Sequence, residues 1–215
     1  MKILENTNLI RINGTFDMAA LNPTWIKNNF PDIEVGEKIK LHFNGIVPIT
    51  EVQFNLGDYR IILNPTTLIF QPIKFDKDVL DTILDNARII LRQFPHTMVG
   101  IMGINYRYET TVSKYKELFS HPEMTSRLNK HGYNNIVNLV YRLYYNKKPV
   151  NIMIVTDPKN ENRLTINVNF HFDVKSTQDC LDFLNVDGIP NVLIKYLDQS
   201  HLLIEDIFKC EVKDV

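Results

Sequence analysis

Cysteine is scarce in this chain of 215 residues: Cys180 and Cys210 are the only two, and they are far apart. That excludes a disulfide framework and any cysteine-based metal spacing, and it reads as two ordinary thiols in a reducing compartment. An excess of one charge is also missing. Lys and Arg number 24 against 25 Asp and Glu, for a net charge of −1. A balance this near neutral gives no general attraction to nucleic acid or to anionic lipid. No window approaches the roughly 18 apolar residues of a membrane span. The opening MKILENTNLIRING is broken by Glu5 and by asparagines, so it does not read as a signal peptide. The expectation is a soluble, cytoplasmic protein without a membrane partner.

Catalytic signatures are missing as well. There is no Gly-rich phosphate loop and no Gly-x-Ser-x-Gly elbow. Gly100-x-x-Gly103 falls inside a strand pattern, with no strand-to-helix turn to receive a pyrophosphate. The glycines there suggest a bulge or a close backbone approach. Cys180 has no basic neighbour to activate it. The six histidines form no zinc-ligand spacing with a cysteine or carboxylate. No catalytic residue, metal ligand or cofactor is assigned.

What the chain does have is alternation. In 164–174, LTINVNFHFDV, the side chains of Ile166, Val168, Phe170, Phe172 and Val174 alternate with Asn167, Asn169, His171 and Asp173. Period two places the apolar group on one face of a strand and the polar group on the other. This predicts a long antiparallel strand with one face on a core and one face wet. Further strands are expected at 9–16, 39–44, 50–56, 59–63, 67–71, 97–109, 138–145 and 150–156. The first of these is read as a sheet edge. Helices are expected at 23–30, with Asn22 as N-cap and Pro23 as first residue, and at 76–94, with Asp76 as N-cap. Others are expected at 110–119, from Pro122 to about residue 130, at 176–185 with Ser176 as cap, and at 191–208. The tail from Cys210 is expected to fray.

Set side by side, the two halves run strand, short helix, strands, long helix. Ile12-Asn13-Gly14-Thr15-Phe16-Asp17 corresponds by type to Ile104-Asn105-Tyr106-Arg107-Tyr108-Glu109, as do Trp25 to Tyr115 and Phe30 to Phe119. The predicted fold class is therefore α+β. Two related halves, 1–95 and 96–215, are expected to form one continuous antiparallel sheet with long helices packed on one face, as one compact domain. By topology alone this resembles the TATA-binding-protein-like and helix-grip folds. PITEVQF at 48–54, GINYRYE at 103–109 and YLDQSHLLIEDIF at 196–208 also resemble, in order and type, a sporadically distributed, uncharacterised prokaryotic protein family. The resemblance runs over most of the chain from Pro48 onward, and it brings no catalytic residue with it.

Candidate binding residues follow from the polar side of the strands: Lys40, His42, Asn105, Arg107, Asn167, Asn169, His171 and Asp173. His171 and Asp173 are neighbours on one strand face, and His42 is the one route to a three-residue cluster. The reading is a non-catalytic interaction protein, acting through this face on a protein partner or on a second copy of itself. The alternative is a nucleic-acid partner on the same Asn- and Arg-lined face. A second alternative is a small ligand held between sheet and helices.

Overall fold

The computed structural model describes residues 1–31, 35–44, 47–111, 138–145, 148–157, 160–186 and 188–212. Ten strands are present among them: β1 (Lys2–Ile3), β2 (Ile10–Gly14), β3 (Val35–Asn44), β4 (Val47–Leu56), β5 (Tyr59–Asn64), β6 (Thr67–Pro72), β7 (Val99–Thr111), β8 (Asn138–Tyr145), β9 (Lys148–Asp157) and β10 (Asn160–Asp173). The helices are α1 (Pro23–Asn29), α2 (Lys77–Arg92), α3 (Thr177–Leu184) and α4 (Val192–Phe208). The strands join in one sheet in the order β3-β4-β5-β6-β2-β7-β10-β9-β8, and β1 pairs with β7 beside that path. Each of these pairings is antiparallel. The class is α+β, as the alternating strands and the amphipathic helices imply.

The strand at 9–16 is not an edge. It is β2, and it lies between β6 and β7 in the middle of the sheet. The edges among the described residues are β3 and β8. In IRING, Arg11 and Asn13 face the polar side while Ile10 and Ile12 are fully buried on the other, a pattern that does not tell an edge strand from a central one. The helix expected at 110–119 is not one at its start, because Thr110 and Thr111 continue β7. The rest of it, and the helix from Pro122, lie outside the described residues.

Register sorts the side chains into two faces. Ile10 stands opposite Phe70 and Ile104, and Ile104 opposite Phe170. Ile61 stands opposite Phe70, and Ile166 opposite both Tyr108 and Ile154. All of these residues are buried. From this face the Tyr59 hydroxyl accepts a hydrogen bond at 2.7 Å from Asn86 Nδ2 of α2. Tyr106 donates to the Leu193 carbonyl of α4, and Tyr108 meets the Ser200 hydroxyl of the same helix. Burial of each large apolar side chain here contributes about 1.5–3 kcal/mol.

The helix starts follow their cap residues. Asn22 Oδ1 accepts from Trp25 N and Asp76 Oδ1 from Val79 N, both at 2.9 Å. Ser176 and Asp179 form a reciprocal capping box at α3. The predicted stripe of α2 is buried at Val79, Leu80, Ile83, Leu84, Ala87, Ile90 and Leu91. The tail does not hang free at its start. The Met1 ammonium donates to the Glu211 carbonyl at 2.8 Å, and Val212 N donates to Glu205 Oε1 at 3.2 Å. These bonds tie 211–212 to the first residue and to α4.

Both glycines of the Gly100-x-x-Gly103 pair do what a strand glycine can do. Between β2 and β7 the register skips from Asn13 opposite Ile101 to Gly14 opposite Val99, which leaves Gly100 as the bulged residue. At Gly103 the neighbour is a side chain: a Cβ there would lie 2.8 Å from Asn169 Nδ2.

Candidate functional site

The opposite face of the sheet carries a row of carboxamides that runs across the strands. On the right half, register aligns Asn105 of β7, Asn169 of β10, Asn151 of β9 and Arg142 of β8. Arg142 Nε donates to Asn151 Oδ1 at 2.9 Å, and Asn151 Nδ2 to Asn169 Oδ1 at 3.1 Å. Asn169 Nδ2 donates to Asn105 Oδ1 at 2.7 Å, and Asn105 Nδ2 to the Asn8 carbonyl at 2.8 Å. From the left half, Gln71 Nε2 donates to Asn8 Oδ1 at 2.9 Å and to the Asn6 carbonyl at 2.7 Å. Arg60 donates to Asn6 Oδ1 at 2.8 Å. The donors thus point inward from two terminal arginines, Arg60 and Arg142, to the segment between β1 and β2. Asn6 there has φ 55, a left-handed conformation that asparagine tolerates better than most residues.

Spacing between neighbouring strands is about 4.8 Å, so adjacent carboxamides at the same register height can bond side to side. Each internal asparagine uses one donor and its oxygen in the row. These groups are half-buried and hydrogen-bonded, so the row fixes the face before any partner arrives.

The arginines on this face have neutral partners. Arg11 Nε donates to Asn13 Oδ1 at 3.2 Å, Arg60 is held by Asn6 and Arg142 by Asn151. Arg107 is exposed and stands opposite Asn167. None of these four has a carboxylate partner among the described residues. Arg163 is the contrast: it pairs with Glu109 and stands 3.7 Å from Asp157. Apolar side chains are set among the arginines. Ile69 lies opposite both Arg11 and Ile62, Ile101 opposite Asn13, and Met153 opposite Asn167.

Six of the eight residues expected from the sequence come together on β7 and β10: Asn105, Arg107, Asn167, Asn169, His171 and Asp173. Asn105 and Asn169 belong to the row. His171 Nε2 lies 3.3 Å from Asp173 Oδ1, and Asp173 is 87% exposed. Lys40 and His42 are not in this group. They lie on the edge strand β3, paired by register with Glu51 and Ile49. Six strand steps separate β3 from β10, about 29 Å. The three-residue cluster with His42 is therefore not formed, because β3 is joined to the sheet at its far edge.

Asn151, Arg142, Gln71, Asn6, Asn8 and Arg11 are in the site but were not on the list of candidates. Asn151 and Arg142 were legible in part, since they alternate with apolar residues in their own strands. Asn6 and Asn8 were not, because only the three-dimensional pairing brings that segment to the row.

Elsewhere the chemistry is quiet. Burial, with Asp179 nearby, pushes the Cys180 thiol up to about 12, which disarms it as a nucleophile. Lys148 lies 4.8 Å from the ring centre of Phe183 and 5.1 Å from that of Phe172, a cation–π arrangement. Burial lowers its pKa, with a smaller effect from Lys195. Among the described residues there is no group of three or more His, Cys, Asp or Glu placed to hold a metal, and no helix long and apolar enough to cross a membrane. No protein-family model and no curated protein sequence matches the chain.

Proposed function

We propose that the protein is a non-catalytic binding protein whose polar sheet face receives the acidic surface of a protein partner. One observation carries this reading: Arg11, Arg60 and Arg142 are oriented by carboxamides, which hold a guanidinium without neutralising it. Preorganised, uncompensated arginines lose little side-chain entropy on binding and steer an acidic partner into register. Ile62, Ile101 and Met153 among them supply apolar contact, which suits a protein surface better than a phosphate backbone.

The nucleic-acid reading keeps one point in its favour. Tyr144, 73% exposed on the same face, stands two residues from Arg142, and a base could stack on it. The small-ligand reading gains no such support, since ring contacts among Phe75, Tyr106, Phe170 and Tyr196 occupy the layer beneath the sheet.

The strand order supports a duplicated architecture. Counting outward from the centre, the first half runs β2, β6, β5, β4, β3 and the second runs β7, β10, β9, β8. In each, the first strand is central and the last strand is next to it. The reading is of two related halves about a pseudo-two-fold axis between β2 and β7, with α2 and α4 on the apolar face. By strand order alone this resembles the topology of TATA-binding-protein-like and helix-grip proteins.

The test compares a poly-glutamate peptide with single-stranded and duplex oligonucleotides at low and high salt, using the wild type and an Arg11→Glu/Arg107→Glu variant. The expected result is salt-sensitive binding of poly-glutamate that the variant loses at least tenfold. Tighter binding of an oligonucleotide, also lost in the variant, would shift the function to nucleic acid. Binding of neither would leave a solvated sheet face and end both readings.

A further inference from the structure

Five of the nine exposed large apolar side chains among the described residues gather at one edge of the sheet. On β8, Val140 is 61% exposed, Tyr141 40%, Leu143 39% and Tyr144 73%. Met153 of β9, opposite Val140, is 37% exposed. Alternation puts Val140 and Tyr144 on one face and Tyr141 and Leu143 on the other, so exposed apolar side chains stand on both faces of the strand. No described strand pairs with its outer edge.

Edge strands are ordinarily blunted by lysine, proline, a bulge or a covering element. The β8 sequence NLVYRLYY has no lysine and no proline, and it pairs with β9 without a register shift. The opposite edge differs. β3 carries Glu37, Lys38 and Lys40 within VGEKIKLHFN.

We infer that β8 is the site at which a second copy of this chain adds, antiparallel, to continue the sheet across a two-fold axis. Charge selects the edge. A head-to-tail contact of β8 with β3 would set apolar side chains against the charged edge and would propagate without closing, whereas β8 on β8 closes as a dimer. Charge also selects the register. For the two polar faces to stay on one side, each residue must meet one of like parity. Placing Tyr141 opposite Tyr141 of the second copy uses 138–144, sets Leu139 opposite Leu143, and sets Val140 opposite Arg142. A slip that brings Arg142 opposite Arg142 is opposed by like-charge repulsion. The exposed side chains of β8 add apolar contact along the seam to the main-chain hydrogen bonds of the new strand pair.

The dimer joins two polar faces into one surface, with an Arg142 on each side of the seam. This inference does not depend on what binds that face. Its test leaves Arg11 and Arg107 untouched, so either reading can fail alone.

The experiment uses the full chain with Cys210→Ser, in which the remaining Cys180 is buried. Tyr141→Cys and Leu143→Cys are made separately and oxidised, then run on non-reducing gels. Directly opposed residues in an antiparallel pair have Cα atoms about 4.5–5.5 Å apart, within disulfide reach, so Tyr141→Cys should give a covalent dimer. The two copies of residue 143 would be about 13 Å apart along the strand, so Leu143→Cys should not. Light scattering should find twice 25.1 kDa for the unmodified chain, and 25.1 kDa for Val140→Lys/Tyr144→Lys with an unchanged circular dichroism spectrum. A wild type that stays monomeric at high micromolar concentration would overturn the inference. So would a dimer indifferent to the lysine variant, or equal cross-linking at 141 and 143. A strand from a different protein on this edge would appear as the monomeric outcome.

Discussion

Gly103 makes room for Asn169. A methyl group on Gly103 would stand 2.8 Å from Asn169 Nδ2, the atom that donates to Asn105 at 2.7 Å. The backbone does not demand glycine here, for Gly103 is not among the residues with positive φ. The demand comes from the carboxamide row.

Gly103→Ala should therefore push the Asn169 amide aside and break its bond to Asn105. The expected loss is about 1–3 kcal/mol, the cost of leaving half-buried polar groups unpaired. Urea denaturation measures it. In an Asn169→Ala background the obstruction is gone, so the same substitution should cost clearly less. Equal costs in the two backgrounds would show that the row is not the reason for the glycine.

The Tyr59–Asn86 pair is the second test, because both partners are buried between β5 and α2. Tyr59→Phe removes the acceptor of the Asn86 amide, which is 9% exposed. That change should destabilise by about 1–3 kcal/mol. Adding Asn86→Leu should recover most of the loss, since an apolar pair of similar size needs no partner. A double variant as unstable as Tyr59→Phe alone would mean that α2 is held there by packing and not by this bond.

Asn86 also shows where sequence reading stops. The alternation in β10 and the stripe of α2 were legible because they are local periodicities, and so were the caps Asn22, Asp76 and Ser176. Asn86 and Ser200 interrupt their helices' buried faces, and they meet Tyr59 and Tyr108 on distant strands. The polar candidates on β7 and β10 could be read from alternation. Their bonding could not, since Asn105 reaches Asn8 across 97 positions. The misplacement of β2 at an edge has the same origin: strand order is set by pairing, and a five-residue IRING pattern does not record its neighbours.

Alkaline pH should weaken the fold. Burial raises the Tyr59 and Tyr106 phenols above their usual range and the Cys180 thiol up to about 12. The folded state holds these protons more tightly than the unfolded chain. Their contribution is complete below the unfolded values, about 8.5 for a thiol and about 10 for a phenol, and is lost as pH rises through the folded ones. Thermal melts should be flat near neutrality and fall above about pH 9. In the native state at pH 8, a thiol-disulfide reagent should label the partly exposed Cys210 and spare Cys180. Labelling of both without unfolding would contradict the burial.

The acid limb has the opposite sign. The Lys74 ammonium, 2.6 Å away, holds the Asp76 carboxyl below its usual range, and backbone N–H groups beginning with Lys175 do the same for Asp179. Stability from these caps is present above the ordinary carboxylate value and lost as pH falls below it. Asp76→Asn keeps an N-cap oxygen but cannot titrate. It should flatten the acid part of the melting profile while costing little at pH 7; an unchanged profile would remove Asp76 from the account.

Lys209 ends α4 in the left-handed region, with φ 47 and ψ 48. Its Cβ crowds the following carbonyl there, at a cost of about 1 kcal/mol that glycine does not carry. Lys209→Gly gives up some unfolded-state restriction in exchange, so the net gain should be about 0.5 kcal/mol. The control is Gly188, whose φ of 75 makes Gly188→Ala strained although nothing lies within 4 Å of the new carbon. The two substitutions should shift the urea midpoint in opposite directions. Should Lys209→Gly lower it, the lysine must hold the turn through contacts of its side chain, and the hydrogen bonds that join 211–212 with Met1 and α4 would then depend on that residue and not on the backbone geometry of the turn.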